Sequence, residues 1–422
     1  MTIWLINPYG PLPSEGWRQY RFAALGRQLA RAGHQTVWWT SSFSHHFKRQ
    51  RTLTWQDTEI EDRFVVRLVP TPGYRRNVGP GRIWRDSVFA WRAYRRARAM
   101  AAPDVIVTYE SPLAFGFAGA RLADRFGCRV IHDQMDLWPE LFERVLPGRL
   151  RIVGRALLAP VYRYRRRFYR ALDGLVALAR PYLELPLSET PVLHSRPHAV
   201  VYNGIDVKAF RASAMDSIQT KLPPKAPDET WAVFAGSLGP SYDIGAVMEA
   251  AAQAQVGRAR VRFLIAGDGP ARPAVSAFAT RPTGQCLTYL GQLSPGELAG
   301  LYMRCDIGLA AYSARSNVEM PDKFYDYTAG GLPIVNSLQG EVSSIIRDRD
   351  LGVQYQPGDA ASLLSAVMQL ASDPALRRRL ACHARESADE YDAAKQFARY
   401  VELIERVAAN PAQRQRCAGG GP

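Results

Sequence analysis

The sequence predicts an α/β protein of two doubly wound, Rossmann-like domains with parallel sheets. Three observations carry the prediction. Residues 3–6 form a short apolar strand, followed by a Pro/Gly loop, a helix with Phe22, Leu25 and Leu29 at helical spacing, and a second strand at 36–39. That order is a βαβ unit. The alternation restarts at residues 231–235. With 422 residues, 47% of them apolar, the chain has enough material for two cores.

The expected boundaries are 1–198 for an N-terminal domain and 199–390 for a C-terminal one. A helix at 391–410 returns to the first domain, and 411–422 reads as a disordered tail. Apolar runs are too short for a spanning helix. The N-terminus lacks the basic residues of a signal peptide and reads as a strand. The cysteines (Cys128, Cys286, Cys305, Cys382, Cys417) are scattered and contain no CxxC pair. That spacing fits a reducing cytosol, without a disulfide frame or a zinc site. Lys+Arg 54 against Asp+Glu 39 gives a formal charge of +15, which calls for an anionic partner: nucleotide, lipid headgroup or nucleic acid.

In the first half, the loop at 7–16 contains Ser14 and Gly16 but no GxGxxG. The second strand ends at a loop with His45, on the strand edge where open parallel sheets bind ligands. His45 and His46 are adjacent and cannot both face inward, and no further metal ligands accompany them. The strand at 129–132 runs into Asp133, Gln134, Met135 and Asp136. Asp136 reads either as a site acid on that edge or as a helix N-cap. Residues 181–197 are Pro-rich and read as an irregular domain boundary. The strand at 199–202 leads into Asn203-Gly204, a turn pair.

Two segments are rich in arginine. Residues 81–100 mix Arg82, Arg85, Arg92, Arg95, Arg96 and Arg98 with Ile83, Trp84 and Trp91. Residues 146–172 contain many Arg, among them Arg165, Arg166 and Arg167, and no acid. Three readings stand side by side: helices lying in a membrane interface, ordinary surface helices, or a nucleic-acid patch.

In the second half, the strand at 231–235 opens into Gly236-Ser237-Leu238-Gly239. Such a loop brings backbone N–H groups to a phosphate. Gly267 follows the strand at 262–266, and Leu293 follows the strand at 287–290. The chain then reaches PDKFYDYTAGGLPIV. Pro321 suits a helix start, Gly330-Gly331 a helix stop, and Pro333 prevents continuation. Lys323 and Asp326 share one helix face. Lys323 beside the helix N–H groups suits a phosphate, and Asp326 suits sugar hydroxyls; together they suggest a nucleotide. The alternative is a Lys323–Asp326 pair in solvent.

The order and spacing of these motifs resemble the retaining GT-B glycosyltransferases of the family-4 type, as found in bacterial surface-polysaccharide synthesis. The resemblance covers nearly all of residues 2–408. Asp326 with Gly330-Gly331-Leu332-Pro333-Ile334 matches the second acid of that family's donor motif and the run after it. A strict match puts the first acid at Val318; Glu319 is one place on. The Pro-x-Lys variant of the motif fits Pro321 and Lys323. The Asp-Leu-Trp-Pro loop at Asp136 is similar to that of bacterial sugar transferases.

The resemblance implies two domains facing across a cleft, with a nucleotide-sugar bound by Gly236, Ser237, Leu238, Gly267, Leu293, Glu319, Lys323, Phe324 and Asp326. It places Gly16, Ser14 and His45 on the acceptor side, Asp136 or Asp133 at the acceptor hydroxyl, and Asn203 and Gly204 at a hinge. It implies retaining transfer from a UDP-sugar, as substrate rather than cofactor, to a lipid-linked or saccharide acceptor, with no metal and no nucleic acid. The expected location is cytoplasmic, at the anionic inner face of the plasma membrane. The alternatives are a non-catalytic polyanion or nucleic-acid binder, and a GT-B nucleotide-sugar epimerase.

Overall fold

The computed structural model describes residues 1–15, 21–75, 79–109, 112–137, 139–140, 154, 156–214 and 216–410. The chain divides into two units. Unit 1 is Met1–Asn203 with the segment from Ala394 onward, and unit 2 is Gly204–Ala393.

Unit 1 contains β1 (Thr2–Ile6), β2 (Gln35–Ser41), β3 (Phe43–Ser44), β4 (Arg49–Gln50), β5 (Gln56–Glu61), β6 (Phe64–Val69), β7 (Val105–Tyr109), β8 (Arg129–Gln134), β9 (Gly174–Ala177) and β10 (His198–Val200). Its main sheet runs β10-β9-β8-β7-β1-β2-β6-β5, and only β5 is antiparallel. β3 and β4 make a separate antiparallel pair. The strand order reverses between β1 and β7. The helices are α1 (Arg21–Arg31), α2 (Pro80–Ala97), α3 (Phe117–Phe126), α4 (Ala159–Ala171) and α5 (Arg180–Glu189). Phe89 of α2, Leu122 of α3, and Phe168 and Tyr169 of α4 share one core with Trp4, Ile6 and Ile106.

Unit 2 contains β11 (Thr230–Ala235), β12 (Val261–Ala266), β13 (Leu287–Gly291), β14 (Ile307–Ala310), β15 (Ile334–Asn336) and β16 (Gly352–Gln354). All pair in parallel, in the order β13-β12-β11-β14-β15-β16. Counted from β11, this is the 3-2-1-4-5-6 order of dinucleotide-binding sheets, with its reversal between β11 and β14. The helices are α6 (Val207–Ala212), α7 (Ile244–Val256), α8 (Arg272–Ala279), α9 (Pro295–Tyr302), α10 (Asp322–Gly330), α11 (Glu341–Asp348), α12 (Ala360–Ser372) and α13 (Pro374–Ala388). The last helix, α14 (Ala393–Ala409), groups with unit 1.

Two sequence expectations are corrected here. Residues 181–197 are not an irregular linker. α5 starts beside Pro181 and carries Pro186 inside it, and a 3-10 turn follows at Pro191–Ser195. Nor does the division fall at 198/199. β10 pairs with β9 in the first sheet, so the division comes at Asn203/Gly204. Gly204 has φ +62, and a Cβ there would stand 2.5 Å from the Tyr391 carbonyl. The 411–422 tail lies outside the described residues, as does most of 146–155.

α10 positions the site and is tied down by Tyr327. Its hydroxyl donates to the Leu309 carbonyl at 2.9 Å and the Val233 carbonyl at 3.3 Å, which joins the helix to β14 and β11. The ring lies over Gly308, where a Cβ would come within 2.5 Å of it. α10 ends at Gly331, whose φ of 68 is the left-handed cap that glycine provides without strain. Gly308→Ala overpacks this seam and is expected to destabilise unit 2 by about 1–3 kcal/mol in urea denaturation. An unchanged midpoint would show that Tyr327 is free to move aside.

Candidate active site

The unit 2 site lies at the carboxyl ends of β11 and β14, where the strand order reverses. Ligands of open α/β sheets bind outside such a point. Gly236 follows β11 with φ +149, and a Cβ there would sit 2.4 Å from the Lys323 Nζ. The lysine therefore crosses directly over the glycine backbone. Lys323 is only 6% exposed. Its ammonium lies 4.3 Å from the ring centre of Tyr242, 4.7 Å from Phe234 and 5.6 Å from Tyr312. Among the described residues it makes no salt bridge. Burial pushes its pKa down to about 8, against the opposing pull of Asp326 and Asp322. An ammonium held by three aromatic faces against a glycine loop is ready to meet an anion.

The remaining predicted donor residues separate into distinct roles. Asp326, one turn after Lys323, is buried at 7% exposure. Ser237 is exposed on the Gly236 loop. Gly267 has φ +136, and its Cβ position is blocked by the Gly236 carbonyl at 1.8 Å, so the two glycine loops lie backbone to backbone. Leu238 and Phe324 are corrected to structural residues. The Leu238 side chain belongs to the unit 2 core, while its backbone N–H donates to the Asp268 carbonyl at 2.9 Å. Phe324 is buried edge-on against Tyr391 at 4.9 Å. Glu319 accepts from the Glu341 N–H at 3.1 Å and so caps the start of α11. Leu293 is half-buried beyond β13, two strands from the reversal. The aromatic cage went unpredicted. Phe234, Tyr242 and Tyr312 come from three segments, and only the topology brings them together.

Unit 1 has a cavity of about 250 Å³ on the carboxyl-end edge around β1 and β7. Its lining includes Asn7, Tyr9, Trp38, His45, Tyr109 and Met135. Asn203 also lines it, and its side-chain oxygen is buried without a hydrogen-bond partner. Of the predicted acceptor-side residues, His45 is present. Ser14 is exposed in the Pro13–Glu15 turn and does not line the cavity, and Gly16 lies outside the described residues. Another cavity, of about 290 Å³, is lined by Arg349, His383, Glu386 and Ser387 and contains none of the predicted residues.

The two candidate acids differ. Asp133 has no exposure. Arg21 Nε donates to its Oδ2 at 2.6 Å and Nη2 to its Oδ1 at 2.8 Å, while Nη1 donates to the Val201 carbonyl. The expectation of Asp133 as an acceptor-side acid is therefore corrected to a buried ion pair joining β8 to α1. Asp136 is partly exposed beyond β8, and its Oδ1 accepts from the Leu137 N–H at 3.1 Å. Buried Gln134 holds that loop: it accepts from the Tyr169 hydroxyl at 2.8 Å and donates to the Asp136 carbonyl. Among the described residues, no group of three or more His, Cys, Asp and Glu is placed to hold a metal ion.

Both halves of the chain match family models. Residues 20–209 match Glycosyltransferase Family 4, and residues 229–373 match Glycosyl transferases group 1. Both units carry glycosyltransferase domains. Solved structures show the same GT-B fold. Sucrose-phosphate synthase from Thermosynechococcus elongatus is 18% identical, with TM-score 0.68, over 96% of this chain and 98% of that one. HepE from Anabaena, solved with UDP and glucose, is 14% identical, with TM-score 0.65, over 96% of this chain and 100% of that one. WaaG, a glycosyltransferase involved in lipopolysaccharide biosynthesis, is 15% identical, with TM-score 0.63, over 96% and 99%. No curated protein sequence matches the chain.

Removing one partner of a buried ion pair costs about 3–5 kcal/mol. Asp133→Ala should lose that much in chemical denaturation. A loss below about 1 kcal/mol, within the range of surface substitutions, would return Asp133 to the list of site acids.

Proposed function

We propose that this glycosyltransferase moves a sugar, with retention at the anomeric carbon, from a UDP-sugar to a lipid-linked or saccharide acceptor in cell-surface polysaccharide assembly. The observation that carries the donor reading is Lys323, a buried ammonium crossing Gly236 at the sheet reversal. The departing group is a nucleoside diphosphate. As the bond from the anomeric carbon to the diphosphate breaks, charge grows on the phosphate oxygens. Lys323 meets that charge, the term that usually dominates such catalysis. Asp326 accepts from the ribose hydroxyls, and Ser237 adds a hydroxyl to the phosphates. Asp136, held by Gln134, orients the acceptor hydroxyl. No divalent cation takes part. UDP is favoured because the HepE structures contain UDP, and a trehalose-6-phosphate relative from E. coli is bound with UDP-2-fluoro glucose.

The reading includes a cytoplasmic protein peripheral to an anionic membrane, without nucleic acid as a partner. Among the described residues, no helix is long and apolar enough to cross a membrane. The membrane-facing element is α2. Trp84 is 65% exposed and Trp91 55%, with Ile83 beside them. The tryptophans are seven residues apart and share a face, and Arg95 stacks on Trp91 at 4.9 Å. Indole with adjoining guanidinium is the chemistry of an interfacial helix. In α4, Arg166 and Arg167 are exposed, but one arginine of the expected face is not. Arg165 is fully buried and paired with Glu140 at 2.7 Å and with Glu189.

Calorimetry with UDP in EDTA tests the donor reading. Lys323 is charged below about pH 8 in the free protein, and above it UDP must restore the proton on binding. Affinity should stay level from pH 7 to about 8, then fall about tenfold per unit. Lys323→Met should weaken UDP at least about tenfold and remove the pH dependence. No UDP binding at millimolar concentration, or binding that Lys323→Met leaves intact, rejects the site.

For the membrane, wild type should sediment with anionic vesicles. The double variant Trp84→Ser/Trp91→Ser should lose at least about tenfold in partitioning, with UDP affinity unchanged. Equal sedimentation would make α2 an ordinary surface helix.

A further inference from the structure

α4 holds the segment after β8 at two points. The helix itself is fixed. Phe168 packs edge-on against the His132 ring of β8, with ring centres 5.0 Å apart, and lies over Gly116, where a Cβ would come within 2.8 Å of it. One turn of helix separates Arg165 from Tyr169, so both side chains leave the buried face together. Tyr169 is fully buried, and its hydroxyl donates to Gln134 Oε1 at 2.8 Å. Gln134 passes the contact on, because its Nε2 donates to the Asp136 carbonyl. Arg165 Nη1 donates to Glu140 Oε2 at 2.7 Å, further along the same segment, and Nη2 donates to Glu189 at the end of α5.

This pattern suits a segment that must be held in place better than a core that must be stable. The Arg165 side chain has no exposure, and the Tyr162 and Tyr169 ring centres lie 5.0 and 5.7 Å from its guanidinium. An apolar side chain of similar volume stabilises such a position as well as a buried ion pair does, or better; what the pair adds is a fixed partner. That partner lies outside the core, since the Glu140 side chain is 22% exposed. Gln134, which has no exposure, likewise gives its amide N–H to a residue beyond the end of β8. Met135, immediately before Asp136, lines the unit 1 cavity. With its carbonyl tied to Gln134 and its Oδ1 accepting from the Leu137 N–H, Asp136 is fixed beside that wall.

We propose that α4 clamps this segment at two points, with Tyr169 and Arg165 as positioning residues that set where the Asp136 carboxylate stands. The inference rests on the reading of Asp136 as the acid that orients the acceptor hydroxyl, and it adds the residues that keep it there. Tyr169 acts through Gln134 and Arg165 through Glu140; neither is among the residues lining the cavity. A reacting group displaced by about 1 Å loses about a hundredfold in rate. A carboxylate on a segment outside the sheet therefore needs support from a rigid element, and α4 supplies it.

Hydrogen exchange of the full chain reads the clamp directly. Tyr169→Phe keeps the ring and removes one donor. Its amides at residues 135–140 should exchange at least about tenfold faster, with the rest of unit 1 and the thermal midpoint close to wild type. Glu140→Gln, which removes the charge from the second tie, should have the same local effect. Turnover then separates positioning from order alone. With UDP-glucose as donor and water as acceptor, both variants should lower kcat about tenfold and leave the UDP-glucose KM unchanged. Asp136→Asn is the control for the underlying reading. If it turns over like wild type, Asp136 is not the acid and that reading fails, while the exchange comparison still decides the clamp. Unchanged exchange at 135–140 in both variants overturns the proposal, as does a rise spread over all of unit 1, which would make Tyr169 a core residue only. A wild-type kcat in Tyr169→Phe where Asp136→Asn is slow overturns it too. A wild type that does not turn over UDP-glucose counts against that donor, and the exchange comparison then decides alone.

Discussion

Burying an ammonium away from water costs several kcal/mol unless something replaces its hydration, and the unit 2 site is built around that constraint at Lys323. Three aromatic faces surround the charge, each contributing about 0.5–2 kcal/mol as a cation–π contact. Asp322 and Asp326 sit on the same helix and oppose the loss of the proton. The arrangement works only if α10 cannot drift. Tyr327 supplies that rigidity by bonding to carbonyls of both strands at the sheet reversal. Gly308 makes room for its ring, and Gly236 for the lysine chain itself. The glycines are thus explained by what crosses them. The rings contact the ammonium directly, while the two aspartates act on it without a salt bridge among the described residues.

Arginine is the residue whose place the sequence conceals. Arg21, Arg85 and Arg165 are all buried, each with an acid far away in sequence or, for Arg85, next to it. Within residues 146–172 no acid occurs, which suggested a solvated or lipid-facing charge. The partners of Arg165, Glu140 and Glu189, lie just outside that window. Helical spacing did hold the answer in part. Arg165 is three and four residues before Phe168 and Tyr169, the two core residues of α4, and so falls on the buried face. The opposite case is α2, where Trp84 and Trp91 fall on the outward face. Reading the two segments as one kind of surface missed this difference.

Most of the architecture was legible because parallel strands buried on both faces leave continuous apolar runs, and glycine or proline marks their ends. Strands around residues 3–6, 231–235 and 262–266 follow from that pattern. The α10 helix follows from Pro321 and Gly331. The β5–β6 hairpin went unread, since β5 is almost wholly polar and exposed while its partner alone carries the alternation. Within the site, Lys323 and Gly236 are local signals, but their meeting is not; nothing in the sequence brings residue 236 to residue 323. Leu238 and Phe324 sit inside the recognisable motifs yet serve the core, because a motif fixes backbone geometry and some of its side chains face inward to hold it. Glu319 shows the same trade, spending its carboxylate on the N-terminus of α11.

Each unit solves a similar electrostatic problem by a different route. In unit 2 a single cation is wrapped in rings, with Asp322 and Asp326 on its own helix. In unit 1 Arg82 and Arg85 share one carboxylate, Asp86, behind the Tyr9 ring that lines the cavity. In both, the aromatic layer lowers the local dielectric, and a charge interaction worth about 1 kcal/mol at 4 Å in water strengthens to about 4 kcal/mol at an effective dielectric near 20. Both sites lie at the carboxyl ends of parallel strands around a reversal of strand order, where loops diverge. The excess of basic over acidic residues is therefore not spread evenly over a surface. Part of it is stored beside cavities and glycine loops, where water is excluded and an anion gains most from meeting it. That placement, more than the net charge of +15, sets where an anion would gain most on this molecule.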